Sequence, residues 1–202
     1  MSEEKLQQLI EYLDFVQIID LDQIYNHVLN EVISFNEATQ FLYGLKINHE
    51  NRFRLFICLH EASLKNNLKV AIQVFREAYC ASNNIYDQIK TSSYSFNLKN
   101  FINTNKLYGI DFKSIMNDDE IEYYNDLGDT ITIYRGMCDQ EYQSKNFGIS
   151  WTIDENEAKN YVYFDKNKVK DGDGGVVNIC IEKKNIAAVF SVHGKKEIIY
   201  IN

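Results

Sequence analysis

Apolar residues recur every three to four positions through the first half of the chain and every second position beyond residue 130. Leu6, Leu9, Ile10 and Leu13 share a face behind Ser2-Glu3-Glu4, which predicts a capped first helix. Asp20-Leu21-Asp22 opens a second, with Leu21, Ile24, Tyr25, Val28, Leu29 and Val32 on its stripe. A short third helix runs from Glu37 to Leu45 and ends near Gly44. Asn51 to Leu64 continues the pattern through Phe53, Phe56, Ile57, Leu59 and His60. The longest candidate, Asn67 to Ile89, carries Val70, Val74, Ala78 and Tyr79 on one stripe, with a break signal at Ser82-Asn83-Asn84. Aromatic residues at this spacing are read as helix-to-helix core. Residues 91–118 are polar with isolated apolar positions and read as connecting structure. Asn117-Asp118-Asp119-Glu120 then caps a helix from Ile121 to Leu127.

After residue 130 the period changes. Ile131, Ile133 and Arg135 fall on one side of an extended segment, Thr132 and Tyr134 on the other. Phe147 to Thr152 is a second short strand, and Asp154 caps a helix containing Ala158, Tyr161 and Val162. Asp171-Gly172-Asp173-Gly174-Gly175 reads as a hairpin turn. Strands follow at Val176–Ile181, Ile186–Ser191 and Glu197–Ile201. Helices do not alternate with these strands, so the layout is α+β rather than doubly wound. The predicted division is a helical region over 1–110 and a strand-rich domain over 111–202, with the boundary inside 91–118.

At 202 residues and 45% hydrophobic content, the chain can bury one sizeable core or a small core with a helical subdomain. The formal net charge is −8 and no basic face for general nucleic-acid binding stands out, so an anionic ligand has to be held by specific donors. Met-Ser-Glu-Glu-Lys does not resemble a secretory signal, and no apolar run approaches the about 18 residues of a membrane span. Cys58, Cys80, Cys138 and Cys180 lack metal-ligand spacing; reduced, mostly buried thiols fit a cytoplasmic protein. His60-Glu61 has no second histidine four residues on, and His27, His49 and His193 are scattered, so no metal is expected. Asp165 to Gly172 has Val169 at a calcium-ligand position and a late glycine, which argues against calcium. Proline is absent and asparagine abundant; the bias is spread along the chain and reads as genome composition.

Three polar residues stand where buried strands would not choose them. Arg135 ends an apolar strand and is followed by Gly136. A buried guanidinium needs a partner, which is either a carboxylate of the chain or a ligand phosphate. Gly136 would let a ligand approach the backbone. Ser150-Trp151-Thr152 closes the second strand, either as an ordinary strand end with a buried tryptophan or as part of a site. Glu197 opens the last strand, either as a lysine-paired surface acid or as a functional carboxylate.

In order and spacing, Tyr134-Arg135-Gly136, Gly148-Ile149-Ser150-Trp151-Thr152 with the Ala158 helix behind it, and Glu197 on a terminal strand resemble the Arg–Ser–Glu class of ADP-ribosyltransferases. The likeness is to the small prokaryotic and phage-borne members and covers roughly residues 120–202. It implies a split two-sheet core binding NAD between the sheets, with no metal. Arg135 would hold the NAD phosphates, and the Gly136 backbone would contact the nicotinamide amide. Ser150 would position the nicotinamide ribose and support the acid, with Trp151 and Thr152 beside it. Glu197 would stabilise the charge that develops as nicotinamide leaves. Tyr161 is the first choice for the aromatic against the ring, ahead of Tyr163 and Phe164, and Trp151 has a second reading as core beneath the site.

The family often has Gln or Glu two residues before the catalytic acid; this chain has Lys195 there, which weighs against arginine as acceptor. The resemblance implies a mono-ADP-ribosyltransferase, a glycosyltransferase acting on a cytoplasmic protein or, less readily, nucleic acid, as a toxin, phage effector or defence factor. The alternatives are a catalytically degenerate binding module and an NAD glycohydrolase. Residues 1–110 would then aim the enzyme, bind a partner or form a lid.

Overall fold

The computed structural model describes residues 21–44, 49, 51–83, 85–162 and 174–201. The expected helix at 2–13, the glycine turn at 171–173, the calcium-like stretch, Tyr163 and Phe164 lie outside the described residues. The chain divides into two compact units, Met1–Ile110 and Asp111–Asn202.

The first unit is helical: α1 (Leu21–Val28), α2 (Phe35–Gly44), α3 (Arg52–Ala62), α4 (Leu68–Cys80), α5 (Ile85–Lys90) and α6 (Leu98–Leu107). Ser34 and Glu37 start α2 as a capping box, with Ser34 N–H donating to Glu37 Oε2 at 2.7 Å and Glu37 N–H to Ser34 Oγ at 3.2 Å. Helix α1 is shorter than its apolar stripe: it stops at Val28, and Val32 is 80% exposed. The expected helix over 67–89 is two, broken after Cys80, where Asn83 N–H donates to the main-chain carbonyl of His49 at 2.9 Å.

The break places Gln88 where its Oε1 accepts the N–H groups of Phe53 and Arg54, at 2.8 and 3.1 Å, capping α3 from another helix. Helix α6 lies in the stretch read as connecting structure. Asn97 caps it by accepting Asn100 N–H at 2.9 Å, and Phe101 and Ile102 turn inward. Its stripe is completed by a fully buried Asn105, which donates to the Phe101 carbonyl at 2.8 Å. A polar residue on the inner face hid the period. Phe53, Phe56, Phe75, Phe96 and Phe101 form the aromatic core, with His60 edge-on to Phe101 at 5.2 Å.

The second unit mixes helix and strand. It contains α7 (Asp118–Asp126), β1 (Thr130–Met137), α8 (Asp139–Ser144), β2 (Ser150–Trp151), α9 (Glu155–Val162), β3 (Gly175–Glu182), β4 (Ala188–Val192) and β5 (Lys195–Ile199). Asn117 and Glu120 form the capping box of α7. Glu120 is also fully buried, and its Oε1 accepts Ser191 N–H at 2.6 Å, tying α7 to β4.

Two small antiparallel sheets form. One is β1–β3, in register from Thr130 opposite Glu182 to Met137 opposite Gly175. The other has the order β2–β5–β4, with Ser150 opposite Ile199 and Phe190 opposite Glu197. A bridge joins them: Tyr134 and Thr152 exchange both main-chain hydrogen bonds, at 2.7 and 2.9 Å. No disulfide joins the cysteines, and Cys58 is buried. Cys138 and Cys180 are exposed, against the expectation of mostly buried thiols; Cys180 lies opposite the exposed Thr132 on the outer side of β3. Among the described residues, no helix is long and apolar enough to cross a membrane.

Candidate active site

Strand β1 carries Ile133, Arg135 and Met137 on its inner side; Ile133 is fully buried and Met137 is 3% exposed. Arg135 therefore has most of its guanidinium out of water, and that charge has to be met locally. Helix α8, which follows β1 directly, brings Glu141 to it. Arg135 Nε donates to Glu141 Oε1 at 2.6 Å and Nη2 to Oε2 at 3.1 Å, a bidentate pair. Glu141 Oε1 also accepts Gly148 N–H at 2.7 Å. The remaining arm, Nη1, donates to the main-chain carbonyl of Ser150 at 2.6 Å. Of the two readings open for Arg135, the chain itself supplies the carboxylate.

The glycines around this arginine have steric reasons. A Cβ on Gly148 would strike the Arg135 guanidinium. One on Gly136 would overlap the carbonyl oxygen of Ala158 in α9. The space that Gly136 leaves on its Cβ side is filled by the backbone of α9.

Ser150 begins β2 opposite Ile199, so Glu197 is its diagonal neighbour on the same face of β5. The Ser150 hydroxyl donates to Glu197 Oε2 at 2.5 Å, a charge-assisted bond between partly buried groups. Arg135, Ser150 and Glu197, from three strands and two sheets, are thus linked in one chain of hydrogen bonds. Trp151 points to the other face. It is 2% exposed and packs edge-on against Phe147 and Tyr200, so it is core beneath the site and not part of a ligand-facing surface. Thr152 is 7% exposed; its hydroxyl donates to Glu157 Oε2 at 3.2 Å and accepts Asp154 N–H at 3.1 Å.

Helix α9 starts on Asp154, whose Oδ1 accepts Asn156 N–H at 2.8 Å. It carries Glu157 and Tyr161 one turn apart on one face. Glu157 Oε1 pairs with Lys195 Nζ at 3.1 Å. Hydrogen bonding to Glu157 raises the Lys195 ammonium above its ordinary pKa. Tyr161 has Lys195 Nζ 6.0 Å from its ring centroid. Burial raises its phenol, and the negative charge of Glu197 raises it further.

The structure therefore gathers Arg135, Gly136, Ser150, Thr152, Tyr161, Lys195 and Glu197 in one region, with Trp151 behind it. Two acids were missed. Glu141 lies in a polar stretch with no apolar period, and Glu157 looks like an ordinary helix-surface acid. The signal for Glu141 was the buried Arg135 itself, which requires a nearby carboxylate. Among the described residues, no group of three or more His, Cys, Asp or Glu side chains is placed to hold a metal ion. No protein-family model, curated protein or solved structure matches the chain.

Proposed function

We propose that this protein is an NAD-dependent mono-ADP-ribosyltransferase whose second unit is the catalytic core, with the two sheets serving as the split core of that family. The observation that carries the reading is the Ser150–Glu197 hydrogen bond at 2.5 Å, with Arg135 on the carbonyl of the same serine. Breaking the bond between nicotinamide and ribose leaves positive charge on the sugar, as in glycoside hydrolysis. A carboxylate oriented by a donor beside that carbon stabilises the charge without reorganising. Glu197 has this role, and Ser150 holds it in position. Nicotinamide departs with the bonding electron pair, and a nucleophile of the acceptor forms the new bond to ribose.

Arg135 has five N–H groups and donates three of them within the chain. The other two can meet a phosphate, but its larger contribution is to hold Ser150. Tyr161, half exposed beside Glu197, is the ring for nicotinamide to rest against. The acceptor is a macromolecule, and the helical first unit is the part that recognises it.

Incubation of the full chain with labelled NAD and a bacterial lysate tests this reading. Transfer of label to a macromolecule, lost in Glu197→Ala, is the expected result. Label transfer that survives in Glu197→Ala rules the assignment out. Nicotinamide release at one rate with and without lysate would make the protein an NAD glycohydrolase. A folded chain that does not bind NAD in calorimetry would make it a binding module.

A further inference from the structure

The strands of the second unit follow one another as β3–β1 and then, across the Tyr134–Thr152 bridge, as β2–β5–β4, so the outer edges are those of β4 and β3. The β4 edge is closed by side chains. Val189 N–H donates to Met116 Sδ at 3.1 Å, and Ser191 N–H to Glu120 Oε1 at 2.6 Å. The β3 edge has no such cover. Lys183 N–H donates to the Asp129 carbonyl at 2.8 Å, which makes the odd-numbered residues of β3 the ones hydrogen-bonded to β1. The N–H and C=O groups of Val176, Asn178, Cys180 and Glu182 therefore point away from β1. None of them meets a hydrogen-bond partner among the described residues.

Exposed edges are ordinarily blunted by proline, by lysine or another charge, or by a bulge. The stretch Gly175-Val176-Val177-Asn178-Ile179-Cys180-Ile181 has no proline and no charge, and its pairing with β1 runs without interruption from Glu182 to Gly175. On the side shared with Ile133 and Arg135, Ile181 is buried but Val177 and Ile179 are only half-buried. Apolar area is left at the edge for a further strand to cover. The strand is also complementary to itself. Two copies set antiparallel about a twofold axis at Ile179 bring Val176 opposite Glu182 and Asn178 opposite Cys180 as hydrogen-bonded pairs, with about eight main-chain bonds in all. On the apolar side Val177 then meets Ile181, and Ile179 meets its own copy, the β-branched cross-strand contacts that stabilise sheets. The two Glu182 carboxylates stand at opposite ends of the ribbon, about 20 Å apart, so like charges do not face each other within it.

We propose that the β3 edge is the dimer interface of this protein: two copies pair their β3 strands antiparallel and join their β1–β3 sheets into one four-stranded sheet. The contact is isologous, as a closed twofold requires, and it stands apart from the transferase reading.

Analytical ultracentrifugation of the full chain across micromolar concentrations tests this, and a mass twice that of one chain is the expected result. Asn178→Pro removes an N–H that faces away from β1, a place where an edge strand accepts proline. The symmetry counts the loss twice, so the dimer dissociation constant is expected to rise by about tenfold or more, with the circular dichroism spectrum unchanged. Cys180→Lys sets two like charges close to the axis and is expected to weaken the dimer while leaving the β1–β3 ladder intact. The register is read by disulfide trapping in a Cys180→Ser background. The two copies of position 179 lie about 4.5 Å apart and those of position 177 about 13 Å, so mild oxidation is expected to cross-link Ile179→Cys far more than Val177→Cys. A monomer at every concentration overturns the proposal, as does a folded Asn178→Pro or Cys180→Lys variant that dimerises as the unmodified chain does. Cross-linking as strong at 177 as at 179 overturns it too. A monomer that takes up an extended peptide along β3 would make the edge a peptide-docking site instead.

Discussion

The guanidinium of Arg135, on one sheet, donates from Nη1 to the main-chain carbonyl of Ser150, on the other, at 2.6 Å. The same serine uses its hydroxyl to hold Glu197. Arg135 is thus a positioning residue for the serine that positions the acid. Arg135→Lys keeps the charge but has no fork with which to meet Glu141 and Ser150 together. Its kcat for nicotinamide release is expected to fall roughly 10- to 100-fold, the effect of a small misplacement of reacting groups, with the KM for NAD little changed. Steady-state kinetics would show it. A loss carried by KM instead would make Arg135 chiefly a phosphate anchor.

Glu141 is the partner on which that arrangement depends. Removing its carboxylate in Glu141→Ala leaves a guanidinium that is 19% exposed without its counter-ion and Gly148 N–H without its acceptor. The expected loss is about 2 kcal/mol of stability, between the cost of an unsatisfied hydrogen bond and that of a broken buried ion pair. Thermal unfolding followed by calorimetry measures it. A melting temperature equal to that of the unmodified chain would show that the pair is not needed.

On the proposed transferase reading, Glu197 and Ser150 differ in how directly they would meet the reaction. On the same reading, Glu197→Gln removes the charge that would face the developing cation and is expected to slow label transfer from NAD by about 10²- to 10³-fold. Ser150→Ala leaves the carboxylate in place but without its donor, and a loss of about tenfold is expected. A Ser150→Ala loss as large as that of Glu197→Gln would give the hydroxyl its own contact with the reacting sugar.

Gly136→Ala tests the packing of α9 on β1. The added methyl would overlap the Ala158 carbonyl, so the helix has to move. A destabilisation of about 1–3 kcal/mol is expected in denaturant unfolding, as for other overpacked sites.

His60 gives the first unit an acid sensitivity. Burial among phenylalanine rings depresses its pKa to about 4. The unfolded chain titrates near the ordinary value of about 6.5 and takes up the proton first, so stability rises with pH between the two values. The contribution is present above pH about 6.5 and is lost as pH falls towards 4, by at most about 3 kcal/mol. His60→Phe should flatten the dependence of the melting temperature on pH across that window. An unchanged slope would place the acid sensitivity elsewhere.

The amphipathic stripes, the switch from helical to alternating period near residue 130 and the Asn117 capping box were legible because they depend on neighbours within one turn or one strand. Local spacing also identified Arg135, Ser150 and Glu197 as awkward residues on apolar segments. It could not tell which partner each would meet. Helix α6 escaped notice because a buried asparagine completes its inner stripe, and its acceptability depends on a hydrogen bond within the folded helix. Glu141 and Glu157 are ordinary surface acids by composition. Their roles arise because α8 packs where a largely buried arginine on one sheet needs a counter-ion, and α9 packs where a more exposed lysine on the other meets one. Which polar groups end up out of water together is a long-range consequence of packing. The chain by itself determined the elements and the residues that would need partners. Tertiary structure chose the partners, because the cost of an unpaired buried charge is felt only once the sheets have closed on it.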